Sequence, residues 1–287
     1  MKKQWSILFL GICFTVSTFC SCESSYDDYD DAKFYTAGDF QYQATEVKEI
    51  EIDWIGGSIE IQPGESGKVS GIENSLTRSD SQKMYHYLDG DTLKIEYCAS
   101  GYKGEIDENQ KNLQIEIPKG IDLHIETKSA SVSIGTIEVR SLSIDSTSGD
   151  ITGERWTVQT DVEIETGSGC LSVGELIADD LDFDSKSGSL SIERCQLKQI
   201  DGETKSGTMK LGMAGLCVGS LETTSGKVVL RSLEKGGLGV RFKSFTGELK
   251  TERAYGKENR YHFFGERESE HFWQIGVDTV SGDLYVE

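Results

Sequence analysis

A Ser-Gly pair returns about every 19 residues along this chain, at Ser148-Gly149, Ser168-Gly169, Ser187-Gly188, Ser206-Gly207 and Ser225-Gly226. Looser copies stand at Thr246-Gly247 and Ser281-Gly282, and the variant Ser129-Ala130 precedes the run. Seven and five residues before each Gly the chain is mostly apolar, as in Leu142 and Ile144, Val162 and Ile164, or Leu181 and Phe183. Two and seven residues after it apolar residues return, as in Ile151 and Trp156 or Leu171 and Leu176. Alternation with period two marks a strand with one face inward. The parity changes at the mark, so the chain must bulge or turn there, and Gly permits φ above zero at such a corner. Each repeat reads as a strand, a Gly corner, a short strand and a looser return. One such unit cannot bury its apolar face alone; stacked copies can. The expectation is an all-β, repeat-built β-solenoid or β-helix-like domain with coils of about 19–20 residues.

Two columns need explanation. Three residues before every mark stands Thr or Ser: Thr127, Ser146, Thr166, Ser185, Thr204, Thr223, Ser244 and Thr279. They lie on the core-facing parity, where an unpaired hydroxyl costs roughly 1–3 kcal/mol. A ladder of hydroxyls bonding one another and the corner backbone removes that cost. A row of nucleophilic serines is the functional alternative, and no base accompanies them. Four residues before the mark an outward column is acidic: Glu126, Asp145, Glu165, Asp184, Glu203 and Glu222, then Lys243 and Asp278. Stacked about 4.8 Å apart, two such charges repel by about 0.9 kcal/mol in water and about 3.5 kcal/mol at an effective dielectric of 20. The column therefore stands in open water or holds cations such as Ca2+. Lys128, Lys186 and Lys205, two positions further on, offset part of the repulsion. No D-x-D-x-D-G calcium loop occurs.

The N-terminus carries Lys2 and Lys3, then an apolar run from Ile7 to about Val16, too short to span a bilayer and laid out as a secretory signal. Ser21 before Cys22 resembles a bacterial lipoprotein signal in which Cys22 becomes the lipidated first residue. The acidic stretch Glu23–Asp31 then reads as a flexible tether, and it looks like the export tag of Bacteroidetes surface lipoproteins. The net charge is −20. Such acidity makes nucleic acid and anionic lipid surfaces poor partners. Cys98, Cys170, Cys195 and Cys217 show no CxxC spacing, so a zinc or redox motif is not indicated.

These signals divide the chain into a signal at 1–22, a tether at 23–45 and a β-repeat domain at 46–287. Within that domain, 46–120 holds a divergent first repeat and capping strands, with one short helical turn within Ser79–Leu88. Regular coils run over 121–250, an aromatic insertion over 251–274 and a final repeat over 275–287. The insertion carries Tyr261, Phe263, Phe264, Phe272 and Trp273 together with His262 and His271. Capping of the last coil is the structural reading; an aromatic platform for a glycan or an envelope protein is the functional one, and a two-histidine metal site a remoter one.

The segments Leu142–Ile151 and Leu181–Leu190, with their I-x-I-x-S/T strands and Ser-Gly corners, resemble the bacterial putative-adhesin family of β-strand-repeat, toast-rack-like envelope lipoproteins. The resemblance covers roughly residues 46–287. It implies a non-catalytic, lipid-anchored envelope protein, an outer-membrane lipoprotein with exposure at the cell surface left open, that binds or presents a surface. Related toast-rack-like domains occur in proteins that monitor envelope stress, so an envelope-stress sensor or accessory protein is the alternative. A β-helix polysaccharide lyase or hydrolase is the enzymatic rival. A retaining glycosidase needs two carboxyls about 5–5.5 Å apart, near the strand spacing. Acid and base also need different environments, and this column offers many alike. No G-x-S-x-G, HExxH, Walker or G-x-G-x-x-G element is present.

Overall fold

A computed structural model describes residues 28–287, apart from 65–66, 76–78, 105–110, 234–235 and 267–271. Two long β-sheets face each other across one apolar core, the first of 14 strands and the second of 12 among the described residues. Each regular coil gives one strand to each sheet. Asp122–Thr127 leads to Ser131–Val139, Ser141–Ser146 to Ile151–Val158, and so on to Cys217–Thr223 and Val228–Ser232. Equivalent strands are parallel neighbours in strict register, as Leu142 with Val162 and Ile144 with Ile164. The chain is the expected β-solenoid.

The Ser-Gly mark is the corner between the sheets, but the reason for glycine differs from the expected one. None of the repeated corner glycines has positive φ. A Cβ on Gly149 would instead overlap the carbonyl oxygen of Ala130, and one on Gly188 that of Gly169. From Gly149 to Gly226 the corners stack so tightly that no side-chain atom fits between them, and only the first regular corner holds a methyl, that of Ala130. The hydroxyls also work otherwise than as a mutual ladder. Gly149 N–H donates to Ser146 Oγ at 3.0 Å, Gly169 N–H to Thr166 Oγ1 at 3.0 Å and Gly188 N–H to Ser185 Oγ at 2.7 Å. Each buried hydroxyl clamps its own corner. The second hydroxyl of the mark stitches coils together: Ser148 donates to the Lys128 carbonyl at 3.2 Å and Ser225 to that of Lys205 at 3.3 Å. Thr279 and Ser244, 2.9 Å apart, do bond one to the other.

The looser return is also a regular strand. Ile134 and Ile137, Val173 and Leu176, and Ile192 and Cys195 all face the core, so the second-sheet strand shifts parity once more between them. A register irregularity marks the spot between Ile192 and Cys195. Two glycines that break the apolar columns are explained by packing. A Cβ on Gly202 would stand 2.9 Å from Leu221 and 3.2 Å from Met209, and Gly202 pairs with bulky Phe183. A Cβ on Gly219 would strike the Ile200 carbonyl.

The ends depart from chain order. Glu49–Trp54 lies between Asp122–Thr127 and the later strand Thr92–Glu96, and Ser58–Pro63 lies between Ser131–Val139 and Asn112–Ile117. At the other end Phe272–Thr279 and Leu284–Val286 form a coil, as expected, but not the outermost one. They insert between the coil Cys217–Ser232 and the earlier-made coil of Gly237–Ser244 and Leu249–Thr251. The hairpin Gly256–Glu258 with Tyr261–Phe264 then covers the edge of the first sheet by antiparallel pairing.

Two further expectations change. Residues 28–45 are not a free tether, since Thr36–Ala37 pairs with Tyr85–Asp89 and Phe40–Gln43 with Lys68–Asn74. The helical turn is a 3-10 turn at Asp80–Gln82, after which Tyr85–Asp89 is a strand. The N-terminal cap is pinned by Lys111, wholly buried, whose ammonium donates to the carbonyls of Gln82 (2.7 Å) and Tyr97 and pairs with Glu73 at 3.3 Å. Burial pulls its pKa down to about 8.

Candidate functional site

Register places the acidic column on the outward face of the first sheet. Glu126, Asp145, Glu165, Asp184, Glu203 and Glu222 are successive partners, followed by Asp278 and then Lys243. The column extends further than sequence reading reached. Asp53 pairs with Glu126 on one side and Glu96 on the other. Asp53 was findable, four residues before Gly57; Glu96 was not, because its strand carries no mark.

A groove of about 910 Å3 runs along this column from Glu96 to Glu203, leaving Glu222 beyond its end. Its lining joins these carboxylates with Lys128, Lys186 and Lys205, each two residues further along the chain. The N-terminal segment closes one end, where Tyr29 donates to the Cys98 carbonyl at 3.2 Å and Tyr35 to Glu96 at 3.5 Å. Tyr35 packs at a tilt between Tyr29 and Tyr87, its ring centroid 4.6 Å from the first and 5.4 Å from the second.

Burial first, and then the neighbouring Asp53 charge, push Glu96 up to about 7. Glu165 and Glu203 are raised by partial burial and then by the carboxylates above and below them. Asp182 is raised by burial and by Asp201, in a second acidic column beside the first. The carboxylates form lines rather than clusters. Among the described residues no group of three or more His, Cys, Asp or Glu is arranged to hold a metal ion. Six core-facing hydroxyls, from Thr127 to Thr223, are buried and each accepts a bond from its own corner N–H, while Ser244 and Thr279 are half-buried.

The aromatic insertion divides. Phe264 and Trp273 are core residues, 1% and 2% exposed, and Trp273 Nε1 donates to the Ala214 carbonyl at 3.3 Å. Strand alternation turns Tyr261, Phe263 and Phe272 to the outward face of the first sheet, where each is half-buried. Their ring centroids are 5.9 and 6.5 Å apart with interplanar angles of 33° and 26°. His262 packs edge-on against Tyr255, and burial lowers its pKa; His271 lies outside the described residues. So do Cys22, the signal and residues 23–27. Among the described residues no helix is long and apolar enough to cross a membrane.

Fold and face together define a two-sheet parallel solenoid carrying a long acidic surface. The chain belongs to the Toastrack DUF4097 family, which matches residues 47–287. Among solved structures it is similar to a putative adhesin from Bacteroides fragilis, with 12% identity over 87% of this chain and 96% of that one and a TM-score of 0.50. A putative adhesin from Parabacteroides distasonis matches with 13% identity over 88% and 96% and a TM-score of 0.45. A putative lipid binding protein from the same species matches with 11% identity over 87% and 97% and a TM-score of 0.43. At these identities the likeness is one of fold. Among curated proteins no relative matches the chain.

Proposed function

We propose that this chain is a non-catalytic, lipid-anchored protein of the bacterial cell envelope whose repeat body binds or presents an extended surface. The observation that carries the reading is the uniformity of the acidic column from Glu126 to Glu203, from which only the buried Glu96 beside Asp53, at the closed end of the groove, departs. Hydrolysis by paired carboxylates needs one group held protonated and its partner ionised by different surroundings. Along Glu126, Asp145, Glu165, Asp184 and Glu203 each group has the same neighbours, one carboxylate above and one below. Such a ladder suits contact spread over many coils, the mode in which stacked repeats bind. The signal-like start, Cys22 and the following acidic residues supply the anchor in this reading, and the description of its Bacteroides fragilis structural neighbour as a putative adhesin supports the binding role.

Protease shaving of intact cells tests the location, with Cys22→Ala as the control expected to release the protein from the membrane fraction. Incubation of the purified protein with a glycan panel tests the chemistry. The expected result is no cleavage. Cleavage abolished by Asp145→Asn/Glu165→Gln would overturn the non-catalytic reading.

A further inference from the structure

The first sheet has a second outward feature at its distal end, beyond the acidic columns. Phe272 and Phe263 rest on a strand that supplies glycine where side chains should stand. A Cβ on Gly239 would come within 3.1 Å of Phe272 Cζ and 3.2 Å of Phe263 Cε1. A Cβ on Gly237 would strike both the Glu266 carbonyl and, at 2.6 Å, Phe272 Cδ2. One ring thus meets both glycines, two residues apart on one strand. A ring touching both lies along the backbone rather than standing on it, with one face on the sheet and the other outward. Neither glycine has positive φ, so the backbone conformation does not require them. Their role is to seat the rings.

Tyr261 continues the row, its hydroxyl accepting from Gln274 Nε2 at 3.1 Å. Val218, 49% exposed and paired with Gln274, and Leu216, 59% exposed, extend the apolar area along one side. Arg241, which pairs with Asp278 at 3.5 Å, lies over Gly276 beside them. The result is a flat shelf of three ring faces about 6 Å apart with polar groups at its edge.

We propose that this shelf binds a neutral, β-linked glycan chain, one sugar unit to each ring. Three observations select that ligand. Ring faces carry negative quadrupole charge and attract the weakly positive C–H groups that an all-equatorial sugar shows on its flat side. A protein partner gains most from a protruding anchor that fills a pocket, and rings laid flat offer it none. The same sheet face carries the acidic columns, and Arg241, the cation at the shelf's edge, is already engaged by Asp278, which disfavours uronate, sulfated or phosphorylated chains. The inference deepens the reading of the body as a binding module and is independent of anchoring at Cys22.

The test is calorimetric titration of the full-length protein in detergent micelles with cellohexaose, chitohexaose and an oligogalacturonate. Binding of at least one neutral oligomer and none of the oligogalacturonate is expected. Phe272→Leu keeps an apolar side chain and removes the ring face; it should weaken binding about tenfold, the scale of one lost aromatic contact. Gly239→Val keeps every ring and lifts two of them off the sheet; it should weaken binding as much, with circular dichroism confirming the fold. The proposal is overturned if neither neutral glycan binds the folded protein, if the anionic chain binds equally well, or if Phe272→Leu binds like the wild type. Cleaved sugar in the same cell would instead count against the non-catalytic reading while leaving the shelf intact.

Discussion

The six coils between Asp122 and Ser232 stack in the order in which the chain makes them, and the coils at both ends do not. In the middle, every neighbour along the axis is about 19 residues away. At the ends, Glu49–Trp54 waits for partners from Thr92–Glu96 and Asp122–Thr127, and Phe272–Thr279 enters between two coils already made. The same corner serves both arrangements. A Cβ on Gly282 would overlap the Gly226 carbonyl, and one on Gly247 the Gly282 carbonyl, so the glycine stack follows spatial order and not sequence order. A repeat built from one strand pattern accepts any copy as its neighbour. Order is then decided by where the connections reach. The ends gain closure, since antiparallel strands cover both edges of the first sheet and an exposed edge invites further pairing.

The comparison is broken most severely by removing an inserted coil. Deleting 272–287 takes out the coil between Cys217–Ser232 and Gly237–Thr251. It should lower stability by more than about 4 kcal/mol, beyond the usual single-residue range, and abolish hydrogen-exchange protection in Arg241–Ser244, whose strand partners all lie in the deleted coil. Protection retained there would mean that the two flanking coils pair directly and that the insertion is dispensable.

A smaller effect separates the tight middle corners from the first one. Gly188→Ala forces a methyl against the Gly169 carbonyl and should cost about 3 kcal/mol in a denaturant titration, the upper range of overpacking. Ala130→Gly, where a methyl is already accommodated, should cost less than about 1 kcal/mol. Equal costs would show that the corners are not distinguished by stacking.

The smallest effect is electrostatic and contrasts the two ends of the acidic column. Glu96 is raised from 4.5 to about 7, while Asp278 at the far end has Arg241 and Lys243 beside it, each at 3.5 Å. A carboxyl whose folded pKa exceeds its unfolded one holds its proton more tightly when folded. Its stabilising contribution is full below about pH 4.5 and is lost as pH rises through about 7. Stability should therefore fall from pH 5 to pH 8 by on the order of 1–2 kcal/mol after screening. Glu96→Gln should flatten that slope. A slope unchanged by the substitution would assign it to other carboxylates.

Much of this molecule was legible in its sequence. Leu142, Ile144, Ile151 and Trp156 are buried as their offsets require, and Asp145 faces outward as its offset requires, because a strand's period of two is a local property. The acidic column could be named residue by residue for the same reason. Its extension to Glu96 could not, because that strand joins the face through pairing alone. Phe264 and Trp273 looked equal to Phe263 and Phe272 as candidate ligand contacts; only the strand phase, set after an insertion of irregular length, separates core rings from surface rings.

The sequence by itself determined the coil: its length, its corner, its inward and outward residues and the charge of its face. These follow from periodicity and from the chemistry of short segments. The tertiary structure alone decided the order of coils at the ends, the crowding that makes corner glycine obligatory without positive φ, and the rings laid flat over Gly237 and Gly239. Each of these depends on what a neighbouring strand places within contact distance, and strands with nearly interchangeable patterns do not name their neighbours.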